Sequence, residues 1–255
     1  MTHHQRAASP AADPAPGDVP VALVTGAAHG LGLEVAGQLA RHGIDVLLGA
    51  RDPGKAEAAV RGVDGVGALP VPLDITDQDS VDLAVRTIEA TKGRLDILVN
   101  NAAARPNFDE TATGADLRSA AHVIEVDLFG TWRMTIGALP LLRRSPRPRV
   151  VNVGSGAGSH SDDRYGMAAA NGRYASHAIA KAAVNALTAT LAAELAGTAI
   201  LVNAVCPDVT ATVPGAAALG ARPVQESAPG VVWAATLPDD GPRGGFHRDG
   251  EPLGW

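Results

Sequence analysis

Three side chains in the second half of the chain have types and spacings that suit acid–base chemistry. Ser155 follows an apolar run at residues 149–153, and Lys181 opens a helical pattern rich in alanine. His177 lies four residues before Lys181, so a helix would place both on one face. An imidazole with an ordinary pKa of about 6.5 can exchange protons near neutrality. Tyr174, three residues before His177, shares that face one turn further back.

A second group of residues has the pattern of a phosphate-binding turn. Gly26, Gly30 and Gly32 follow an apolar run at residues 21–25 and open a helical pattern that starts at Leu31. Gly26 permits a tight turn, Gly30 lets the backbone approach a pyrophosphate, and Gly32 lets helix and strand pack closely. The N–H groups at the helix start would face the phosphates. This order of strand, turn and helix predicts dinucleotide binding.

Both groups require elements that bring strand ends together. Apolar runs alternate with helical patterns along the chain, which predicts a doubly wound parallel sheet with helices on both faces. The interpretation gives about seven strands, at residues 21–25, 44–50, 69–73, 95–99, 149–153, 200–205 and 245–248. Helices are expected at residues 31–41, 55–61, 76–91, 116–142 and 174–195. We expect one domain over residues 19–255, after a disordered tail at residues 1–18 that is rich in Ala, Pro and His.

Composition excludes several classes of protein. The 255 residues carry a formal charge of −6, which argues against general nucleic-acid binding because phosphate affinity comes from Lys and Arg. No stretch approaches the roughly 20 apolar residues of a membrane helix. Cys206 is the single cysteine, so a reducing cytoplasm is compatible. The histidines lack the spacing of metal ligands, and no metal site is predicted.

The glycine spacing, TGxxxGxG, resembles that of the short-chain dehydrogenase/reductase family. Asp74 matches the family position that contacts adenine, and residues 100–103 resemble its NNAG turn, with Ala103 in place of Gly. Residues 206–208 resemble its Pro-Gly turn near the nicotinamide, with Asp208 in place of Gly. The resemblance covers nearly the whole chain after residue 19 and implies a Rossmann-type α/β fold. The cofactor-binding residues it implies are Gly26, His29, Gly30, Leu31, Gly32, Arg51, Asp74, Asn101, Ala102, Lys181 and Pro207.

The same resemblance assigns roles at the reacting end. Family members use a serine to orient the substrate oxygen, a tyrosine to move the proton and a lysine to hold the ribose; Ser155 and Lys181 match the first and last. His177 occupies the tyrosine position. Either His177 moves the proton, or Tyr174 does so after a local rearrangement, or neither does. Asp127 stands where the family has Asn, and it is expected to pair with Lys181.

The end of the second strand bears on cofactor choice. An NAD site usually places a carboxylate there for the ribose 2′-OH, whereas this chain has Ala50 followed by Arg51. A guanidinium can grip a 2′-phosphate, as in the NADP-dependent carbonyl reductases that this arrangement resembles. If the side chain of Asp52 turned inward, its carboxylate would repel a 2′-phosphate. NADP(H) is therefore favoured, and NAD(H) stays open.

Three functions remain at this stage. The first is an oxidoreductase that passes hydride between nicotinamide and a carbonyl or alcohol substrate. The second is a non-redox enzyme on the same scaffold, such as a dehydratase, isomerase or cyclase, and the third is a protein that only senses the dinucleotide. Residues 156–173, which exceed the family's usual serine-to-tyrosine spacing, are expected to form either an insertion over the pocket or a plain surface loop. Residues 214–238 and the glycine-rich end to Trp255 are expected to cover the substrate. Monomer and homo-oligomer both stay open.

Overall fold

An eight-stranded sheet forms the centre of the protein. The computed structural model describes residues 19–61, 63–69, 71–105, 107–212 and 215–255; the predicted tail at residues 1–18 lies outside them. The strand order is β3-β2-β1-β4-β5-β6-β7-β8, and all neighbours are parallel except β7 and β8. The strands are Val21–Thr25 (β1), Asp45–Gly49 (β2), Val66–Ala68 (β3), Ile97–Asn100 (β4), Arg149–Val153 (β5), Leu201–Cys206 (β6), Phe246–Arg248 (β7) and Glu251–Pro252 (β8).

Helices cover both faces of this sheet, which confirms the predicted doubly wound α/β fold. They are Gly30–Arg41 (α1), Pro53–Val60 (α2), Gln78–Lys92 (α3), Leu117–Ile124 (α4), Thr131–Leu142 (α5), Ala175–Glu194 (α6) and Val224–Ala235 (α7). One apolar core lies between the sheet and α3, α5 and α6, and a second lies between the sheet and α1 and α7. The strand order reverses between β1 and β4, so the carboxyl ends of these strands open a crevice for a ligand.

The third strand was placed wrongly by the sequence pattern. The expected strand at residues 69–73 is shifted to β3, where Val66 pairs with Val46 of β2. Beyond β3 the chain keeps only separate hydrogen bonds to its neighbour, such as Leu73 N to the carbonyl of Ala50 at 2.9 Å. Pro72 has no N–H to donate, which prevents a continuous ladder there. Asp74 nevertheless follows this segment as expected.

The predicted helix at residues 116–142 is interrupted by a wider turn. Between α4 and α5, Glu125–Gly130 forms a π-helical turn while the flanking residues keep right-handed helical backbone angles. Such turns insert one residue into a helix and are frequent at functional sites. Asp127 lies within this turn and is completely buried. The interruption therefore falls on one of the predicted site residues.

The C-terminal region is also more regular than expected. Within residues 214–238, which were expected to cover the substrate, Val224–Ala235 is the helix α7, and it packs against α1 and the sheet. This part contributes to the core because its apolar side chains are buried in it. A short antiparallel strand, β8, was not predicted. No helix in the described part of the chain is long and apolar enough to cross a membrane.

A buried polar network ties the carboxyl ends of the central strands to two helices. The side-chain amide of Asn100 donates to Asn152 Oδ1 at 2.9 Å and to Thr135 Oγ1 at 3.0 Å. Asn152 in turn donates to Thr188 Oγ1 at 2.9 Å. All four side chains are buried. The network fixes α5 and α6 relative to β4 and β5, and α6 carries His177 and Lys181.

We expect Asn152→Leu to lower the free energy of unfolding by about 2–4 kcal/mol, because the buried groups of Asn100 and Thr188 lose their partner. Urea denaturation measures this loss. Thr188→Val removes the other end of one bond, so the double variant should lose clearly less than the sum of the single variants. Strictly additive losses would show that the two side chains are not coupled.

Candidate functional site

The turn after β1 has room only for glycine at two of its three glycine positions. Gly26 has a φ of +62°, and a Cβ added there would lie 2.7 Å from the Cα of Ala102. A Cβ on Gly32 would lie 2.5 Å from the side-chain nitrogen of Asn101 and 2.9 Å from the Cα of Ala27. Real Cβ atoms do not approach so closely, so the turn depends on close contact with the segment after β4.

Asn101 and Ala102 hold this turn from the neighbouring strand. The side-chain amide of Asn101 donates to the carbonyls of Thr25 and Gly26 at 2.9 and 3.1 Å. In return, Thr25 Oγ1 accepts hydrogen bonds from the backbone N–H groups of Asn101 and Ala102, both at 3.1 Å. Thr25 was not singled out as a site residue, although its place before the first glycine marks it. These contacts assign Asn101 a role in shaping the turn.

The start of α1 is open to a ligand. Its N-cap residue, His29, is exposed and makes no side-chain hydrogen bond to the first turn. The helix therefore offers uncapped N–H groups and the positive end of its dipole, which suits an anionic diphosphate. Leu31 is buried behind this turn. Thr212 lies beside Gly30, since a Cβ on Gly30 would be 3.6 Å from the Thr212 Cβ.

The end of β2 carries an exposed guanidinium, that of Arg51, and a carboxylate, that of Asp52, which is directed to its own helix. Asp52 caps α2 by accepting a hydrogen bond from Lys55 N at 3.2 Å, so its carboxylate is directed to its own helix. Burial acts to raise the pKa of Asp74, but hydrogen bonds from Thr76, assisted by the charge of Arg51, hold it below its ordinary value. An ionised Asp74 is thus near Arg51.

At the other end of the crevice, a buried ion pair joins the π-helical turn to α6. Lys181 Nζ lies 3.2 Å from Asp127 Oδ2 and donates to the carbonyl of Val153 at 3.0 Å. The second oxygen of Asp127 accepts a hydrogen bond from Ala104 N at 2.7 Å. The expected pairing of Asp127 with Lys181 is therefore present. An ammonium has three N–H donors, and the carbonyl of Val153 takes one of them.

His177 lies next to this pair. Its Nδ1 atom is 3.9 Å from Asp127 Oδ2, and both atoms are buried without a hydrogen-bond partner. Burial lowers the pKa of His177 to about 4, with a further contribution from Lys181 that the charge of Asp127 only partly offsets. The ring is therefore neutral at neutral pH, and it can accept a proton.

Tyr174 has a different setting from His177. It is the N-cap of α6, with a left-handed φ of +43°, so it stands just outside the helix. Its hydroxyl donates to the carbonyl of Tyr165 at 3.2 Å, and burial raises its pKa. Proton transfer by Tyr174 would require this hydrogen bond to break.

Ser155 lies at the end of β5, where its segment meets α6. Its Oγ accepts a hydrogen bond from Ala157 N at 3.2 Å, which leaves its own O–H free to donate. The short 3-10 turn Gly156–Gly158 packs closely against α6, since a Cβ on Gly158 would lie 2.5 Å from Ala182 N. The serine segment and the lysine segment are thus in direct contact.

The insertion at residues 156–173 is attached to the carboxyl ends of β6 and β7. Asp162 forms an ion pair with Arg248, and Arg164 Nη1 lies 3.3 Å from Asp208 Oδ2. Asp208, which follows Pro207, has a φ of +64°, a region that favours glycine. Its carboxylate accepts a hydrogen bond from Val209 N at 2.7 Å. The acid that replaces glycine here therefore binds the insertion to the Pro207 turn.

These contacts gather the predicted residues into two groups. Asp127, His177 and Lys181 form one buried cluster at the start of α6, with the Ser155 segment packed on the same helix. The glycine turn, Asn101 and Ala102 form the other group at the start of α1. Pro207 is partly buried, and its carbonyl accepts a hydrogen bond from Arg222 at 3.2 Å.

Comparison with known proteins gives a consistent result. A family model described as short chain dehydrogenase matches residues 20–219. The short-chain dehydrogenase anuI of Penicillium roqueforti is 34% identical over 231 residues, which cover 85% of this chain and 88% of that protein. Oxidoreductase UcpA of Salmonella typhimurium is 36% identical over 195 residues, covering 75% and 69%. The structure of salutaridine reductase from Papaver somniferum superposes with a TM-score of 0.73 at 27% identity, covering 89% of this chain and 99% of that one.

The lowered pKa of His177 has a consequence for stability. The unfolded chain binds a proton at this histidine near pH 6.5, whereas the folded protein does so only near pH 4. Stability should therefore fall as the pH drops through this window, by about 2 kcal/mol between roughly pH 7 and pH 5.

We expect His177→Gln to remove this component of the pH dependence, as measured by urea denaturation at both pH values. His122→Gln, at an exposed histidine, should keep it. An unchanged pH dependence in His177→Gln would contradict the assignment.

Proposed function

Because this chain belongs to the short-chain dehydrogenase family, a family of NAD(P)-dependent oxidoreductases, we propose that it prefers NADP and passes hydride between the nicotinamide and a carbonyl or alcohol carbon of a small molecule. The observation that carries this proposal is the uncapped start of α1 beneath the glycine turn, with the Asp127, His177 and Lys181 cluster at the same crevice of the sheet. The reductase and oxidoreductase names of the relatives favour redox chemistry over the non-redox alternative.

The residues of the crevice fit a dinucleotide. The glycines at 26 and 32 keep the turn in close contact with the segment after β4, and the uncapped N–H groups of α1 supply donors for a diphosphate. Asp74 would hold the adenine end, and Pro207 would border the nicotinamide end. Lys181, which donates one hydrogen bond to the carbonyl of Val153, would donate another to a ribose hydroxyl. When bound, the cofactor supplies or takes up the hydride, and the protein supplies position and proton transfer.

The preference for NADP is supported by the charges at the end of β2. Arg51 is exposed, and the residue before it at the strand end is Ala50, not the carboxylate that an NAD site usually has there. Asp52, which could repel a 2′-phosphate, is directed to Lys55 N instead. His29 adds an exposed imidazole at the start of α1. Arg51 is therefore the group that would grip a 2′-phosphate.

We expect Arg51→Ala to weaken NADPH binding about 10- to 100-fold, since charge-assisted hydrogen bonds to the phosphate are lost, while NADH binding changes less than about twofold. Fluorescence titration with each cofactor measures both constants. Arg86→Ala, at an exposed arginine of α3, is the matched control and should change neither. An equal loss for both cofactors in Arg51→Ala would exclude the assignment.

The proton steps fall to residues of this chain. The free O–H of Ser155 would donate to the substrate oxygen. His177, neutral at neutral pH because its pKa is about 4, would take the alcohol proton as hydride leaves. In the opposite direction the ring would first take a proton from solvent and then pass it to the substrate oxygen as hydride arrives. Asp127 lies 3.9 Å from the ring nitrogen that faces it, so it can stabilise the ring once protonated. Tyr174 is held by its bond to Tyr165, which favours His177 as the proton carrier.

We expect His177→Ala to lower kcat about 100-fold, the usual loss when a general acid–base group is removed. Tyr174→Phe should change kcat less than about twofold, because its hydroxyl is engaged elsewhere. The absorbance of the reduced cofactor over a panel of carbonyl and alcohol substrates measures both. Cofactor affinity, which should stay constant in both variants, is the control. A large loss in Tyr174→Phe with none in His177→Ala would reverse the assignment.

A further inference from the structure

The helix that carries His177 and Lys181 does not cap its own N-terminus. Its N-cap residue, Tyr174, makes no side-chain hydrogen bond to the first turn. The acceptor comes from a distant segment: Glu110 Oε2 accepts a hydrogen bond from Ser176 N at 2.8 Å. Glu110 is 7% exposed, although the residues on either side of it are exposed. A carboxylate at this position also stabilises the positive end of the helix dipole.

The rest of this segment holds the same helix start. Asp109 pairs with Arg173 at 2.9 Å, and Arg173 Nε donates to the carbonyl of Phe108 at 3.3 Å. The ring of Phe108 meets the ring of Tyr174 edge-on, with 6.5 Å between centroids. Thr111 and Arg173 form an isolated antiparallel bridge. Contacts from residues 108–111 thus converge on residues 173–176, immediately before His177.

We propose that Glu110 is a positioning residue for His177, which it controls through the first turn of α6. The inference rests on the proposed function, since it takes His177 as the proton carrier. His177 Nδ1 and Asp127 Oδ2 are 3.9 Å apart, just beyond hydrogen-bond distance. A small movement of the first turn therefore decides whether the ring can engage Asp127. Displacement of a reacting group by about 1 Å can cost two orders of magnitude in rate.

The kinetic test compares three substitutions at one position. Glu110→Ala removes the acceptor, and Glu110→Asp keeps the charge but shortens the reach by one methylene. Both should lower kcat by roughly tenfold with little change in the KM for the cofactor. Glu110→Gln retains an acceptor oxygen and should stay within about threefold of the parent protein. The Asp and Gln variants keep the test decisive if Glu110→Ala does not fold.

A matched control separates positioning from stability. Asp77 caps α3, where its side chain accepts a hydrogen bond from Asp79 N, and α3 carries none of the proposed site residues. Asp77→Ala should lower the melting temperature as Glu110→Ala does, yet leave kcat unchanged. If both variants lose stability and neither loses kcat, Glu110 is only a helix cap and the proposal is overturned.

A second readout does not depend on turnover. In protein with labelled histidine, the His177 imidazole signal is identified by its loss in His177→Gln. Glu110→Ala should shift or broaden this signal, whereas Asp77→Ala should not. An unchanged signal in Glu110→Ala overturns the positioning role. If the signal moves but the parent protein turns over no substrate, the proposed function fails while the control of His177 by Glu110 stands.

Discussion

The close contact between the glycine turn and the segment after β4 is the constraint on which the rest of the crevice depends. Two positions of the turn cannot hold a Cβ because Asn101 and Ala102 lie against them. The polar contacts of Thr25 and Asn101 hold the backbone there by hydrogen bonds within the protein itself. The turn is therefore pre-formed, and binding would not have to order it. Preorganisation of this kind raises affinity by lowering the entropic cost.

The opposite end of the crevice is built around charge. Asp127 and Lys181 are both buried, and the desolvation of such a pair offsets much of its mutual attraction. Either charge buried without the other would strongly destabilise the fold, so the two residues act as a unit. The neutral ring of His177 follows from the same conditions, because burial and Lys181 together outweigh Asp127. The chemistry proposed for His177 is thus a result of its surroundings as much as of its residue type.

Sequence reasoning succeeded where the signal is local. The apolar runs at β1 and β5, the glycine spacing and the four-residue step from His177 to Lys181 each depend on neighbouring residues, and all three are seen in the structure. The third strand was misplaced because its partner strand decides which residues pair. Glu110 was missed since its role comes from a helix more than sixty residues away. The sequence also could not predict that His177, and not Tyr174, faces Asp127. That depends on the left-handed backbone angle at residue 174, which the residue type does not dictate.

The π-helical turn has a geometric consequence for the long helix that contains it. One additional residue offsets the angular phase of the two halves by about 100°. The upstream half can bury Val123, and the downstream half can bury Met134 and Ala138 against the sheet. In an uninterrupted α-helix Val123 and Met134, eleven residues or about three turns apart, would point in nearly the same direction, whereas α4 packs against α6 and α5 packs against α3 and β4. The π-helical turn thus lets the two halves of the long helix pack against different neighbours. Asp127 lies within this turn, where it is buried.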